Sequence, residues 1–179
     1  SLVTSGIVVV FSAGNGHVSF PGMMREVISA GGVFVAANGE TQASDYASSF
    51  ASKIYPGRSV PDFCGLVGMQ PNAQYLMLPI PPKCELDVNG SATDATANND
   101  GWATFSGTSA SAPQLAGVCA LLLQKNPGLK PADIKAVIAS SARDVDKGAA
   151  NAASNVGVGR KATSGKDGAT GNGLVDAFA

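Results

Sequence analysis

A chain of 179 residues has the length of one domain and can bury a sizeable hydrophobic core. Only 14% of its residues are charged and the formal net charge is −1, which removes the electrostatic case for nucleic acid or an anionic membrane as a partner. No apolar run approaches the roughly 18 residues of a membrane-spanning helix, and the N-terminus lacks the basic region and cleavage site of a signal peptide, so any targeting signal is expected upstream or absent.

The chain opens with Gly6-Ile7-Val8-Val9-Val10-Phe11, a continuous β-branched run that predicts a buried strand of a parallel sheet. Ser12-Ala13-Gly14-Asn15-Gly16 follows directly. Ligands of open α/β sheets gather at the carboxyl ends of strands, so this turn stands where a site is expected. Taken alone, Ala-Gly-Asn-Gly is also an ordinary turn, since Asn and Gly tolerate positive φ. Val27 to Val33 predicts the next strand, Asn38-Gly39 a turn, and residues 43 to 60 form a Ser/Ala-rich stretch. Tyr75-Leu76-Met77-Leu78-Pro79 predicts another short strand.

Residues 80 to 101 carry Glu85, Asp87, Asn89, Asp94, Asn98, Asn99 and Asp100 and are expected to form a long exposed loop. Such oxygen groups suit Ca²⁺. The spacing Asp87-x-Asn89-Gly90 completes no recognised calcium loop, so no metal ligand is assigned and a solvated loop is the simpler expectation. Asn89-Gly90-Ser91 matches the glycosylation sequon, a short match that matters only in a secretory cell.

The stretch Phe105-Ser106-Gly107-Thr108-Ser109-Ala110-Ser111-Ala112-Pro113 sets a serine between a Gly-Thr turn and a long apolar segment. A serine hydroxyl is a poor nucleophile at neutral pH and needs a base and a means of stabilising the oxyanion it creates. A helix N-terminus offers part of this through unpaired N–H groups and its dipole. Pro113 removes the N–H that would bond the Ser109 carbonyl. Leu115, Ala116, Ala120, Leu121, Leu122 and Leu123 are apolar nearly all round, the pattern of a helix buried in a core. A Ser/Thr cap on a core helix would also account for these residues. Asn126-Pro127-Gly128 ends the helix, and Pro131, Asp133, Ile134, Val137 and Ile138 predict an amphipathic helix ending near Arg143. Beyond it, Asp144 to Ala179 is Gly/Ala-rich; Asp144, Asp146, Asp167 and Asp176 read more economically as caps and solvated turns than as a cation site.

Ser106 to Pro113, followed by Ala116-Gly117, resembles the nucleophile motif of the subtilisin-like serine proteases, especially its kexin-like form. Ser12-Ala13-Gly14-Asn15 is similar to the segment in which that family places its oxyanion asparagine and S1-pocket backbone. Phe20-Pro21-Gly22, Val27 to Val33, Pro61-Asp62 and Thr170 to Ala177 continue the resemblance, the last to a Gly-x-Gly-x-Val-x-Ala turn and helix. Gly22 stands where alanine is commoner, and Cys64-Gly65-Leu66 replaces the usual Ala-Pro-Gly. The resemblance implies an α/β chain forming part of a three-layer fold, with a mostly parallel sheet flanked by helices. It implies Ser109 as nucleophile, Asn15 as oxyanion donor, and Ser12, Ala13, Gly14, Gly107 and Thr108 as substrate-binding positions. The loop from 80 to 101, leading into Trp102, is then expected to border the substrate cleft.

The family's triad runs Asp, His, Ser along the chain, and the resemblance here begins about midway. The sole histidine, His17, sits in Gly16-His17-Val18-Ser19, unlike the family's His-Gly-Thr, and is expected at the surface or rim. The whole of residues 1–179 is therefore read as the C-terminal portion of one catalytic domain, partnered by a second chain or N-terminal fragment that carries the Asp and His. A partial parallel sheet would otherwise expose an apolar edge. The function implied is that of a serine endopeptidase acting on peptide or protein, with no cofactor required and structural Ca²⁺ left open. Two alternatives are a catalytically inactive pseudoprotease or structural half, and a sedolisin-like acid serine peptidase, which would carry Asp at position 15. Three cysteines fit no metal spacing; Cys119 reads as a buried small hydrophobe, and a Cys64–Cys84 disulfide would suit the secreted location that the family implies.

Overall fold

The β-branched run at the N-terminus enters the sheet later than its composition predicts. In the computed structural model, which describes residues 2–153 and 159–178, strand β1 covers Val10–Ser12. Pairing starts where its neighbour starts, with the Ile28 N–H donating to the Val9 carbonyl at 2.9 Å. That neighbour, β2 (Ile28–Val35), is the centre of the sheet. It runs parallel to β1 through Val10 opposite Ile28. Strand β3 (Thr41–Ala43) turns back antiparallel over its far end. Strands β4 (Ser48–Ala51) and β5 (Ser59–Val60) form an antiparallel pair beside the sheet, and β6 (Phe63–Leu66) returns parallel to β2 with Ala30 opposite Phe63.

A hairpin of β7 (Leu76–Pro79) and β8 (Trp102–Phe105) then leads into helix α2 (Thr108–Lys125), with the short helix α1 (Glu85–Gly90) inserted between its strands. Helix α3 (Pro131–Ser141) and β9 (Asn151–Ala152), parallel to β4, follow. Ile28 and Ala30 on β2, Phe63 on β6, Leu115 and Cys119 on α2, and Ile134 and Ile138 on α3 make one core, joined by half-buried Val8 and Val10. Each such large aliphatic or aromatic side chain contributes about 1.5–3 kcal/mol on burial. On the other face Val33 and Cys64 pack with Val145 and Leu174.

Several expectations need correction. Residues 80–101 are not simply an exposed loop. They contain α1, and Asp87 and Asp94 are buried because they serve the backbone: Asp87 accepts from Lys83 N–H at 2.6 Å, and Asp94 accepts from the N–H groups of Thr96 and Thr104 at 3.0 and 3.2 Å. Helix α2 is not buried all round, since Ala116, Gly117, Ala120 and Leu121 lie exposed while Leu115 and Cys119 face the sheet. Val137 likewise lies outside the buried Ile134–Ile138 stripe of α3. The Cys64–Cys84 disulfide does not form: Cys64 is buried on β6, and all three cysteines are free thiols. After the Gly171 and Gly173 turn no helix forms among the described residues, because Leu174 is tied into a bridge with Arg143 instead. The Gly/Ala-rich tail includes residues 154–158 and Ala179, which lie outside those described. No helix among the described residues is long and apolar enough to cross a membrane.

Candidate active site

The sheet brings the turn after β1 and the start of α2 together, although they are 93 residues apart. Gly107, at φ +101°, makes the approach possible: a Cβ there would stand 3.1 Å from Asn15 Nδ2, in a backbone conformation that L side chains resist. Thr108 opens the helix fully buried. Its N–H and its hydroxyl both donate to Asn15 Oδ1 at 2.9 Å, and the hydroxyl accepts from Gly14 N–H at 3.1 Å. A backbone N–H can only donate, so the oxygen of the Asn15 amide must face Thr108. The Nδ2 group is thereby turned away from Thr108 and stands beside Gly107 with no acceptor among the described residues.

Ser109 is the second residue of α2 and is exposed. Its N–H belongs to the first helical turn, where no carbonyl of the helix is available to accept it. Pro113 leaves the Ser109 carbonyl without its usual i+4 donor. Ser12 ends β1 half-buried, Ala13 is fully buried with its N–H on the Ala30 carbonyl at 2.8 Å, and the Gly14 carbonyl accepts from Ser48 N–H at 2.8 Å. With the Ala13 N–H and both backbone groups of Gly14 engaged within the protein, these two residues shape the contour of the turn rather than present polar side chains. A depression of about 300 Å³ beside this constellation is lined by Asn15, Tyr46, Gln70, Ala73, Ser106 and Gly107.

His17 is exposed, as expected, and no hydrogen bond among the described residues joins it to Ser109. The turn that carries it is braced by Ser48, whose Oγ accepts from the N–H groups of Gly16 and His17 at 2.9 and 3.0 Å. The two buried thiols are poor rivals as nucleophiles: burial pushes Cys119 up to about 11 and, with the nearby Asp167 carboxylate, pushes Cys64 well above the ordinary thiol range. No group of three or more His, Cys, Asp or Glu side chains is arranged to hold a metal among the described residues. Two of the tail aspartates act as turn caps, Asp144 accepting from Gly165 N–H at 2.9 Å and Asp167 from Ala169 and Thr170 N–H at 2.8 Å, while Asp176 pairs with Arg143 at 2.6 Å.

The arrangement matches a known family over most of its length: the family model described as "Subtilase family" covers residues 1–164. The chain belongs to the subtilase family. Serine protease AprX of Bacillus subtilis (strain 168) is 29% identical over 143 residues, covering 75% of this chain and 30% of AprX. Among solved structures, sphericase superposes with a TM-score of 0.64 at 19% identity, covering 97% of this chain and 49% of that one. Fervidolysin from Fervidobacterium pennivorans, a keratinolytic enzyme related to subtilisin, gives a TM-score of 0.68 at 24% identity, covering 98% and 22%. These likenesses establish a subtilisin-like α/β fold. The chain spans about half of sphericase and under a third of AprX.

Several residues that hold the candidate site together were given no role by the sequence, although Ser111 and Asp62 lie within segments that carry the resemblance. Ser111 Oγ accepts from Gly65 N–H at 2.8 Å, and Gln114 pairs with both the N–H and the carbonyl of Leu66 at 2.9 Å, so α2 is stitched to β6 by side chains. Asp62 accepts from Ser29 N–H at 2.8 Å and is ion-paired to Arg58 and, at 3.5 Å, to Lys135. Burial holds Lys135 below the usual lysine range, partly offset by that carboxylate. Tyr46 and Ser48, in the Ser/Ala-rich stretch, touch both turns of the site.

Proposed function

We propose that this chain is the nucleophile-bearing portion of a serine endopeptidase that hydrolyses peptide bonds through an acyl-enzyme on Ser109. The observation that carries this reading is the Asn15 amide, fixed by Thr108 so that Nδ2 stands next to Gly107 and the start of α2 with no acceptor among the described residues. A structural cap would need no such donor. Ser109 Oγ attacks the scissile carbonyl carbon while its proton passes to a histidine supplied by the rest of the domain. The carbonyl oxygen becomes an oxyanion held by Asn15 Nδ2 and the Ser109 N–H. Collapse expels the amine, protonated by that histidine, and water then cleaves the ester to regenerate Ser109. Every step runs through side chains, backbone amides and water, so no cofactor is called for.

Residues 1–179 are read as the C-terminal portion of one catalytic domain, completed by a segment or chain carrying the Asp and His. β1 is bonded only to β2 among the described strands. Beside it an apolar groove of about 450 Å³ is lined by Ile7, Val8, Val10, Ala116, Cys119 and Leu123, among others. A further parallel strand with its helix would extend the sheet and cover this groove, which ends at the small exposed residues of α2. Export from the cell is the location proposed, in keeping with the family.

The test is labelling with a serine-directed fluorophosphonate, with the modified residue located by mass spectrometry. Modification of Ser109 in the complete domain, and its absence in the 179-residue chain alone, is the expected result. Rapid hydrolysis by the isolated chain would contradict the need for a partner. No labelling in the complete domain would favour an inactive scaffold, and labelling confined to acid pH a sedolisin-like chemistry.

A further inference from the structure

The two turns of the site are held by one short segment that lies in neither of them. Ser48 takes the Asn15 side: its N–H donates to the Gly14 carbonyl at 2.8 Å, its Oγ accepts from Gly16 and His17 N–H, and that same Oγ donates to the His17 carbonyl at 2.8 Å. Tyr46, two residues earlier and 8% exposed, takes the nucleophile side. Its hydroxyl accepts from Gly107 N–H at 2.8 Å and is hydrogen-bonded to Ser106 Oγ, which accepts from Gly68 N–H at 2.8 Å. The segment is anchored in turn by Ser44 Oγ on the Gly68 carbonyl at 2.8 Å.

Gly107 has no side chain with which to hold itself, and its positive φ is the joint on which α2 enters. Its N–H is buried and needs an acceptor, and the Tyr46 hydroxyl is that acceptor. We infer that Tyr46 is a positioning residue for catalysis: through its hydroxyl, and with Ser48 as its counterpart, it sets the Gly107 turn and so the alignment of Ser109 with Asn15. The inference rests on Ser109 and Asn15 acting as proposed. Tyr46 itself touches no reacting atom. Tyr46 is also one of the residues lining the depression beside Asn15, so the variant that tests its hydroxyl must keep its ring.

Tyr46→Phe keeps the ring and deletes the acceptor. In the complete enzyme we expect the rate constant for fluorophosphonate labelling, and kcat counted per titrated site, to fall about tenfold, the rate equivalent of about one neutral hydrogen bond. KM should stay within about twofold, since substrate contacts in the ground state are untouched. Tyr75→Phe is the control for a merely structural hydroxyl. It loses a bond of 3.0 Å to the Val35 carbonyl and should lower Tm without changing the rate per titrated site. A Tyr46→Phe enzyme that labels as fast as wild type, or that changes only in Tm as Tyr75→Phe does, overturns the inference while Ser109 remains the nucleophile. A wild-type enzyme that is not labelled at all overturns the proposed function and this inference with it. If Tyr46→Phe does not fold, Ser48→Ala carries the same test from the Asn15 side, with the same outcomes.

Discussion

Thr108→Val is the sharpest perturbation of the site, because it changes a fully buried hydroxyl to a methyl of nearly the same shape. The hydroxyl makes two bonds, donating to Asn15 Oδ1 at 2.9 Å and accepting from Gly14 N–H at 3.1 Å. Gly14 is itself buried, so its N–H is left without an acceptor, a cost of about 1–3 kcal/mol. Losing the neutral bond to Asn15 adds about 0.5–1.5 kcal/mol. The expected destabilisation is about 1.5–4.5 kcal/mol, a large part of the 5–15 kcal/mol typical of a folded domain. Catalysis should suffer separately. Asn15 keeps only the Thr108 N–H as an anchor, and a wavering amide should reduce kcat/KM about tenfold, equivalent to about 1.4 kcal/mol of transition-state binding. Urea denaturation of the complete protein gives the first quantity and labelling kinetics the second. Thr108→Ser retains the hydroxyl and loses one methyl, so it should cost only about 0.8 kcal/mol and keep most of the rate. A valine variant within about 0.5 kcal/mol of wild type, or a serine variant as slow as the valine one, would refute the role given to this hydroxyl.

Asn15→Ala should lower kcat by about 10²–10³-fold, the scale known for losing the oxyanion asparagine of a subtilisin and carried here by family likeness rather than worked from this geometry. Because it also removes the acceptor of the buried Thr108 N–H and hydroxyl, it should cost about 1–3 kcal/mol of stability. Steady-state kinetics against peptide substrate check it, and an unchanged kcat would remove Asn15 from the mechanism. Asp94 should act as an acid-resistant staple for the insert in the β7–β8 hairpin. The Thr96 hydroxyl, and after it the N–H groups of Thr96 and Thr104, hold its carboxyl below the ordinary range. A depressed pKa in the folded state means that its contribution is present above the unfolded value of about 3.9 and lost as pH falls through the folded one. Hydrogen-exchange protection at Thr96 and Thr104 should therefore persist at about pH 4 and collapse only in stronger acid. In Asp94→Ala that protection should already be absent at neutral pH, and an acid step that survives the substitution would show that another group is responsible.

Much of the candidate site was legible because its motifs are contiguous in sequence. Ser109 and Asn15 were singled out by the resemblance of Ser106 to Pro113 and of Ser12 to Asn15 to subtilase segments, since the residues alone fit a helix cap and an ordinary turn equally well. The limits of α2 and α3 followed from Pro127, Pro131 and the aliphatic spacing, as they do in the structure. What was not legible depends on distant partners. Tyr46 meets Gly107 across 61 residues, and nothing in a Ser/Ala-rich stretch marks one tyrosine as an acceptor for a buried amide. Asp87 and Asp94 read as solvated because they are acidic, whereas their oxygens are used by the backbone of the insert. The reverse error falls on Ala116, Ala120 and Leu121, whose apolar character signals burial that no described residue provides. Under the proposed function those residues face the remainder of the domain.

The central claim is that Ser109 attacks and Asn15 receives the charge, and the most direct measurement is a crystal structure of the complete enzyme after fluorophosphonate treatment. The account predicts phosphorus bonded to Ser109 Oγ, with a phosphonyl oxygen about 2.7–3.1 Å from both Asn15 Nδ2 and the Ser109 N–H. An adduct on another residue, or one on Ser109 whose oxygen points away from Asn15, would contradict it.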